Sequence, residues 1–358
     1  MIQVLTSPGK YVQGADALKK VGQYLKPLGS HALIISDPAV LNLVESSLVP
    51  GLGGMRWTVD KFSGEASQQE IDRLQGVAQR AAADVIVGFG GGKTLDTAKA
   101  VAYYLGLPVA ILPSIASTDA PCSALSVLYT EKGEFAEYLL LPKNPDVVLV
   151  DTRVVAQAPI RFLVAGMGDA LATKFEAEAS AQRRLTTMAG GAPTASALAL
   201  ANLCFETLMK YGETARLAVA RKAITPAVER IVEANTYLSG IGFESGGLAA
   251  AHAIHNGFTV LEETHKYYHG EKVAFSTIVQ MVMEDRPIEE LLEVIDFCQA
   301  VGLPTSLAEL GLENASVSQL RKVAEAATKE GETIHFMPFA VDADMVRDAI
   351  IAADALGS

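Results

Sequence analysis

The chain has 358 residues, enough for two domains each with its own core, and with 50% hydrophobic and 20% charged residues it is no disordered polyelectrolyte. A net charge of −12 and a pI near 5.0 exclude nucleic acid or an anionic membrane as the main partner, because both need a basic face. The three cysteines, Cys122, Cys204 and Cys298, stand at no metal-ligand spacing, so a reducing, cytoplasmic setting is expected without a disulfide framework.

The first ten residues carry no basic region ahead of an apolar core, and no stretch approaches the ~20 apolar residues of a membrane span. Ala32 to Ile35 is the first apolar run, closed by Ser36-Asp37-Pro38. Val85 to Val87 is the second, and it leads through Gly88 and Gly90 to Gly92 into a helical pattern carried by Leu95, Ala98 and Val101. A strand feeding a glycine turn that opens a helix offers unpaired N–H groups and the positive end of a helix dipole to an anion, so a phosphate or pyrophosphate is expected there. A Walker A loop is excluded, since Val87 stands where that motif needs glycine, and the spacing G-x-G-x-x-G is only loosely met. Val109 to Leu112 and Val147 to Val150 complete an alternation that predicts a mainly parallel sheet covered by helices. Ala124 to Tyr129 and Phe135 to Leu141, flanking Glu131-Lys-Gly133, read as a hairpin.

Past Pro159 the β-branched runs stop, and Thr194 to Tyr211, Thr225 to Ser239 and Ile288 to Val301 predict helices. The expected division is an α/β domain over 1–158 and an all-helical domain over 159–358, packed closely around a cleft. In the second half Asp169, within Gly166-Met-Gly-Asp169-Ala-Leu-Ala-Thr173, and four of the six histidines, His252, His255, His265 and His269, read together as one divalent metal site. A carboxylate with two imidazoles leaves one coordination position for water or substrate, as a catalytic zinc requires.

Four segments, Gly90-Gly-Gly-Lys93-Thr-Leu-Asp96-Thr-Ala-Lys, Leu112-Pro-Ser-Ile-Ala-Ser-Thr118-Asp119-Ala-Pro-Cys-Ser123, Gly166-Met-Gly-Asp169 and Tyr268-His269-Gly-Glu-Lys, stand in the order in which the bacterial glycerol dehydrogenases carry similar motifs. The chain resembles that family, part of the iron-containing alcohol dehydrogenase superfamily, over nearly its whole length. The resemblance implies a Rossmann-like N-terminal domain, a helical C-terminal domain of dehydroquinate synthase-like architecture, and metal-assisted, NAD-dependent oxidation of a polyol, glycerol giving dihydroxyacetone. It also implies a homo-oligomer, up to an octamer. Asp169, His252 and His269 match the zinc ligands. Iron-binding relatives place a histidine four residues after the aspartate, where this chain has Thr173, and a three-ligand zinc site is therefore favoured.

By the same resemblance Gly92 and Lys93 contact the pyrophosphate, Asp96 supports the helix start, and Ser114, Ser117, Ser123, Leu125 and Tyr129 line the cofactor. Asp37 ends a strand where a carboxylate accepts hydrogen bonds from the adenosine ribose and repels a 2′-phosphate, so NAD is expected over NADP. Asp119 matches a position that contacts a substrate hydroxyl, Phe243 forms an apolar wall, and His255 can relay a proton or bind substrate. Glycerol-1-phosphate dehydrogenase and 3-dehydroquinate synthase share the two-domain plan, but only Lys266 and Lys272 lie near enough in sequence to hold a substrate phosphate. A different polyol or alcohol dehydrogenase is a closer alternative, and a non-catalytic nucleotide-binding protein is the alternative from another class.

Overall fold

The computed structural model describes residues 2–358. Six strands, β1 (Tyr11–Gly14), β2 (His31–Ser36), β3 (Arg56–Lys61), β4 (Val85–Gly90), β5 (Val109–Pro113) and β8 (Val147–Asp151), form one parallel sheet in the order β1-β8-β5-β4-β2-β3. The four interior strands are the four predicted apolar runs, buried on both faces as parallel strands between helices must be. The pattern missed β1 and β3. Both lie at sheet edges, where Gln13, Arg56, Asp60 and Lys61 face solvent in part and no apolar run results. Strands β6 (Leu125–Tyr129) and β7 (Phe135–Leu140) pair as the predicted antiparallel hairpin.

Side chains alternate between the two faces of the sheet. Ala32, Ile34, Val85, Val87, Ala110, Leu112, Val147 and Leu149 pack under the short helical segments that contain Leu18, Leu25, Val44 and Leu48. Leu33, Ile35, Ile86, Ile111, Val148 and Val150 face the other way, into a core that continues without a break through Met167, Phe175, Ile254 and Phe275 of the second half. The expectation of a separate core for each half is therefore corrected. One apolar sheet face needs a cover, and the C-terminal helices form part of it.

From Ile160 to the C-terminus the described residues are helical apart from turns and loops. The helix predicted from Thr194 runs Ala195–Ala220, past Gly212, where glycine makes room for Phe297: a Cβ there would meet that ring at 2.6 Å. The segment predicted from Thr225 starts at Pro226 with Thr225 accepting from Val228 N–H, passes through a π turn over Ala234–Leu238, and continues to Gly246. Ile288–Val301 is as predicted. Among the described residues no helix is long and apolar enough to cross a membrane.

Candidate active site

One end of the candidate site is built on the sheet. Strand β4 delivers Gly90 and Gly91, and the helix Gly92–Leu105 follows with no side chain capping its first N–H groups, which are left available to an anion. Gly90 is required by close approach: a Cβ on it would lie 2.6 Å from Cβ of Asp37 at the end of β2. Asp37 accepts from Ala39 N–H at 2.8 Å, and Thr94 donates to its other oxygen at 3.4 Å. Beyond β2 the sheet continues to β3, and beyond β4 to β5, so Asp37 and the glycine turn flank the point where strand order changes direction, the usual ligand crevice of an open α/β sheet. Lys93 is partly exposed, 2.7 Å from Glu65 Oε2 and 4.5 Å from the centre of the Tyr129 ring.

The rest of this end falls into wall and surface. Ser114 N–H donates to Gly90 O, while Ser117, Leu125 and Tyr129 are half-buried. Ser123 is fully buried and its hydroxyl donates to Ala120 O, while the role expected of Asp96 needs correction. Asp96 does not support the helix start: its carboxylate is buried against Lys99 and accepts from Val127 N–H at 3.2 Å, while its carbonyl accepts from Ser126. Lys99, itself buried, donates to the carbonyls of Ala120 and Leu125. The pair therefore holds the hairpin and the Asp119 loop onto the helix.

The other end is built by three helices. Asp169 lies in the middle of Ile160–Arg183, His252 in Ala250–Phe258, and His269 opens His269–Met283. The first and third cross closely because Gly168 and Gly270 face each other's backbone, where a side chain would strike Gly270 O or Ala165 O. Asp169 Oδ1 lies 3.0 Å from His269 Nε2 and 3.4 Å from His252 Nε2, and Asp169 Oδ2 accepts from Asp119 N–H at 3.2 Å. One ligand atom from each of Asp169, His252 and His269 falls within 4.8 Å of the others. Asp169 Oδ1 is buried with no hydrogen-bond partner, a costly state that a cation between these atoms relieves. His255 and His265 stand outside this set.

Electrostatics point the same way. Burial pushes the Asp169 carboxyl up, but the facing His269 and His252 outweigh it and hold the group well below the usual carboxylate range. Burial alone drives His252 down, and the carboxylates of Glu176 and Asp169 more than reverse that. Asp119 is pushed well up, by burial first and by Asp169 second. His255 is pushed well down, by burial first and then by the neighbouring His269 and Lys272. The ionised, buried carboxylate of Asp169 facing two imidazoles forms a strong field for a divalent ion.

Around the cluster, Ser239 donates to Asp119 Oδ2 at 2.6 Å and shares a 2.8 Å hydrogen bond with Thr173, so the hydroxyl at the possible fourth-ligand position is engaged elsewhere. Phe243, one turn beyond Ser239, is buried on the same helix face. His255 Nε2 lies 3.1 Å from His269 Nδ1, His255 Nδ1 lies 3.1 Å from Asn256 Oδ1, and Asn256 donates to Glu332. His265 is exposed, bonded to Thr259 O. Sequence reading missed Glu176, Ser239, Asn256 and Glu332. For Glu176 a signal existed, because it follows Asp169 by seven residues and so lies two turns along the same helix face.

A parallel sheet with an anion-ready turn, joined to a helical half with an Asp-His-His cluster, defines a nucleotide- and metal-using oxidoreductase. Residues 8–152 match the iron-containing alcohol dehydrogenase family. Over 359 aligned residues, covering 100% of this chain and 98% of the relative, it is 55% identical to a glycerol dehydrogenase of Escherichia coli O6:H1. It is 48% identical to a glycolaldehyde reductase of Halobacterium salinarum, again over 100% of this chain and 98% of the relative. The crystal structure of glycerol dehydrogenase from Schizosaccharomyces pombe is similar with a TM-score of 0.95 at 42% identity, over 99% of this chain and 91% of that one. The chain belongs to the iron-containing alcohol dehydrogenase family, within its glycerol dehydrogenase group.

Proposed function

We propose that the protein oxidises glycerol to dihydroxyacetone, reversibly, and acts on related vicinal diols, with NAD as hydride acceptor and one zinc ion per chain. The observation that carries the reading is the unpartnered, buried Asp169 Oδ1 facing two imidazole Nε2 atoms. This donor set of one carboxylate oxygen and two nitrogens suits zinc and leaves a tetrahedral position open. Asp169, His252 and His269 would hold zinc, and Asp37, Gly92 and Lys93 would hold NAD. When bound, zinc supplies a Lewis acid that eases loss of the alcohol proton, and NAD takes the hydride.

The chain's own groups supply position. Ser239 fixes Asp119 Oδ2, and among the described residues Asp119 Oδ1 makes no hydrogen bond, which suits it to a polyol hydroxyl. Phe243 limits the pocket on the apolar side. His255, next to His269, is placed to relay a proton, while Asn256, itself held by Glu332, orients the His255 ring. In this reading residues 1–158 are the NAD-binding half and 159–358 the metal- and substrate-binding half. Self-association in a cytoplasmic setting belongs to the same proposal, supported by the exposed Leu203 and Leu217 on Ala195–Ala220 and by three buried free cysteines.

The test is metal content and NADH formation from glycerol before chelation, after it, and after zinc is returned. Activity should vanish with the metal and return with it. Full turnover in metal-free protein would refute the reading. A second reading, reduction of a short hydroxyaldehyde, is favoured by the glycolaldehyde reductase relative, and the same assay run with glycolaldehyde and NADH decides between them.

A further inference from the structure

We infer that Glu176 is the positioning residue that makes His252 a metal ligand. A neutral imidazole carries one N–H and one lone pair, and which nitrogen keeps the lone pair depends on the hydrogen bond made by the other. Glu176 Oε2 lies 2.6 Å from His252 Nδ1, and a carboxylate only accepts, so the proton stays on Nδ1 and the lone pair of Nε2 points towards Asp169.

The second oxygen has a separate duty. Glu176 Oε1 accepts from the backbone N–H of Ala249 at 2.9 Å and of His252 at 3.0 Å. Helix Ala250–Phe258 has no cap of its own, and its remaining first N–H groups, at Ala250 and Ala251, are taken by Gln280 Oε1. The start of the helix carrying His252 is thus fixed from two other helices, one of which also carries Asp169. Glu176 is fully buried, and both of its oxygens must be acceptors. Glutamine has a single acceptor oxygen. If that oxygen serves the backbone, its NH2 group faces Nδ1 and drives the imidazole proton to Nε2, which can then no longer ligate. If it serves Nδ1, the backbone N–H groups face a donor.

The inference rests on the zinc reading above, and its test keeps the two apart. Zinc affinity is measured by chelator competition for Glu176→Gln, Gln280→Ala, His252→Ala and the double variant Glu176→Gln/His252→Ala, with folding followed by circular dichroism. Glu176→Gln is expected to weaken zinc by about 10- to 100-fold, and Gln280→Ala, which disturbs the same helix start without touching the ring, by much less. In the His252→Ala background Glu176→Gln should add almost nothing, since its effect passes through the imidazole. Where Glu176→Gln fails to fold, Glu176→Asp replaces it in the same cycle. At saturating zinc, protein labelled with ¹⁵N histidine should show the His252 Nδ1 proton in the wild type. Additive losses in the double variant, or equal weakening by Gln280→Ala, would reduce Glu176 to a helix cap and overturn the inference. Unchanged zinc binding in His252→Ala would instead refute the metal site itself.

Discussion

The two ends of the candidate site are built on opposite plans. At the Asp169 end each functional side chain is held by a further group, His252 by Glu176, His269 by His255 and Asp119 by Ser239, and both carboxylates are buried. At the glycine-turn end the helix start is uncapped, a Cβ on Gly92 would meet nothing within 4 Å, and Lys93 rests between a partly exposed carboxylate and the face of Tyr129. The difference matches what each end would hold. A resident ion needs its ligands preorganised, because every mispointed donor weakens binding, whereas a dinucleotide that leaves after each turnover needs an open surface. Mutations at the first end should therefore change metal content and kcat, and mutations at the second should change KM for NAD.

The largest effect should follow Asp169→Asn. Metal charge stabilisation is worth several kcal/mol in the transition state, and each ~1.4 kcal/mol is tenfold, so turnover should fall by at least about 10³-fold with loss of bound zinc. Stoichiometric zinc with normal turnover in this variant would erase the contrast between the two ends. Next comes substrate choice. A site that pairs a hydroxyl rejects an analogue lacking it by on the order of 10⁴ in favourable cases, so glycerol and 1,2-propanediol should far exceed 1-propanol in kcat/KM. Asp119→Ala should then lower glycerol relative to 1,2-propanediol by roughly tenfold, the worth of one hydrogen bond. An unchanged ratio would remove Asp119 from the substrate site.

How much was legible follows from the same contrast. The four interior strands announce themselves because burial on both faces leaves only apolar residues, and the glycine turn because close approach allows nothing larger. Asp169, His252 and His269 are chemically rare enough in their setting to be noticed singly. Edge strands β1 and β3 were hidden by the polar residues that edges tolerate. Glu176, Asn256 and Glu332 were hidden because their roles exist only once separate helices meet: Glu332 is 76 residues from its partner Asn256, and Glu176 is 76 from His252. Asp96 misled for a related reason. Its place in a phosphate-type motif suggested a cofactor role, but its position four residues into the helix turns it inward to Lys99 and the hairpin.

At the open end effects should be smaller. Asp37→Gly removes the carboxylate that would accept from ribose and repel a 2′-phosphate, so the NAD-to-NADP ratio of kcat/KM should fall by about tenfold or more. Equal use of both cofactors by the wild type would sink that assignment.

The smallest expected change is also the sharpest for the comparison. Lys93 has 43% of its side chain exposed and is shared between Glu65 and the face of Tyr129, so its charge is screened and already partly engaged. Lys93→Met should raise KM for NAD by only about three- to tenfold, in line with the ~1 kcal/mol worth of exposed charge pairs, and leave kcat and zinc content unchanged. Glu65→Gln, which frees the ammonium, should move KM slightly in the other direction. A fall in kcat equal to the fall in kcat/KM for Lys93→Met would mean that the lysine acts only in the transition state. The glycine-turn end would then share the catalytic burden that its open construction assigns to the buried one.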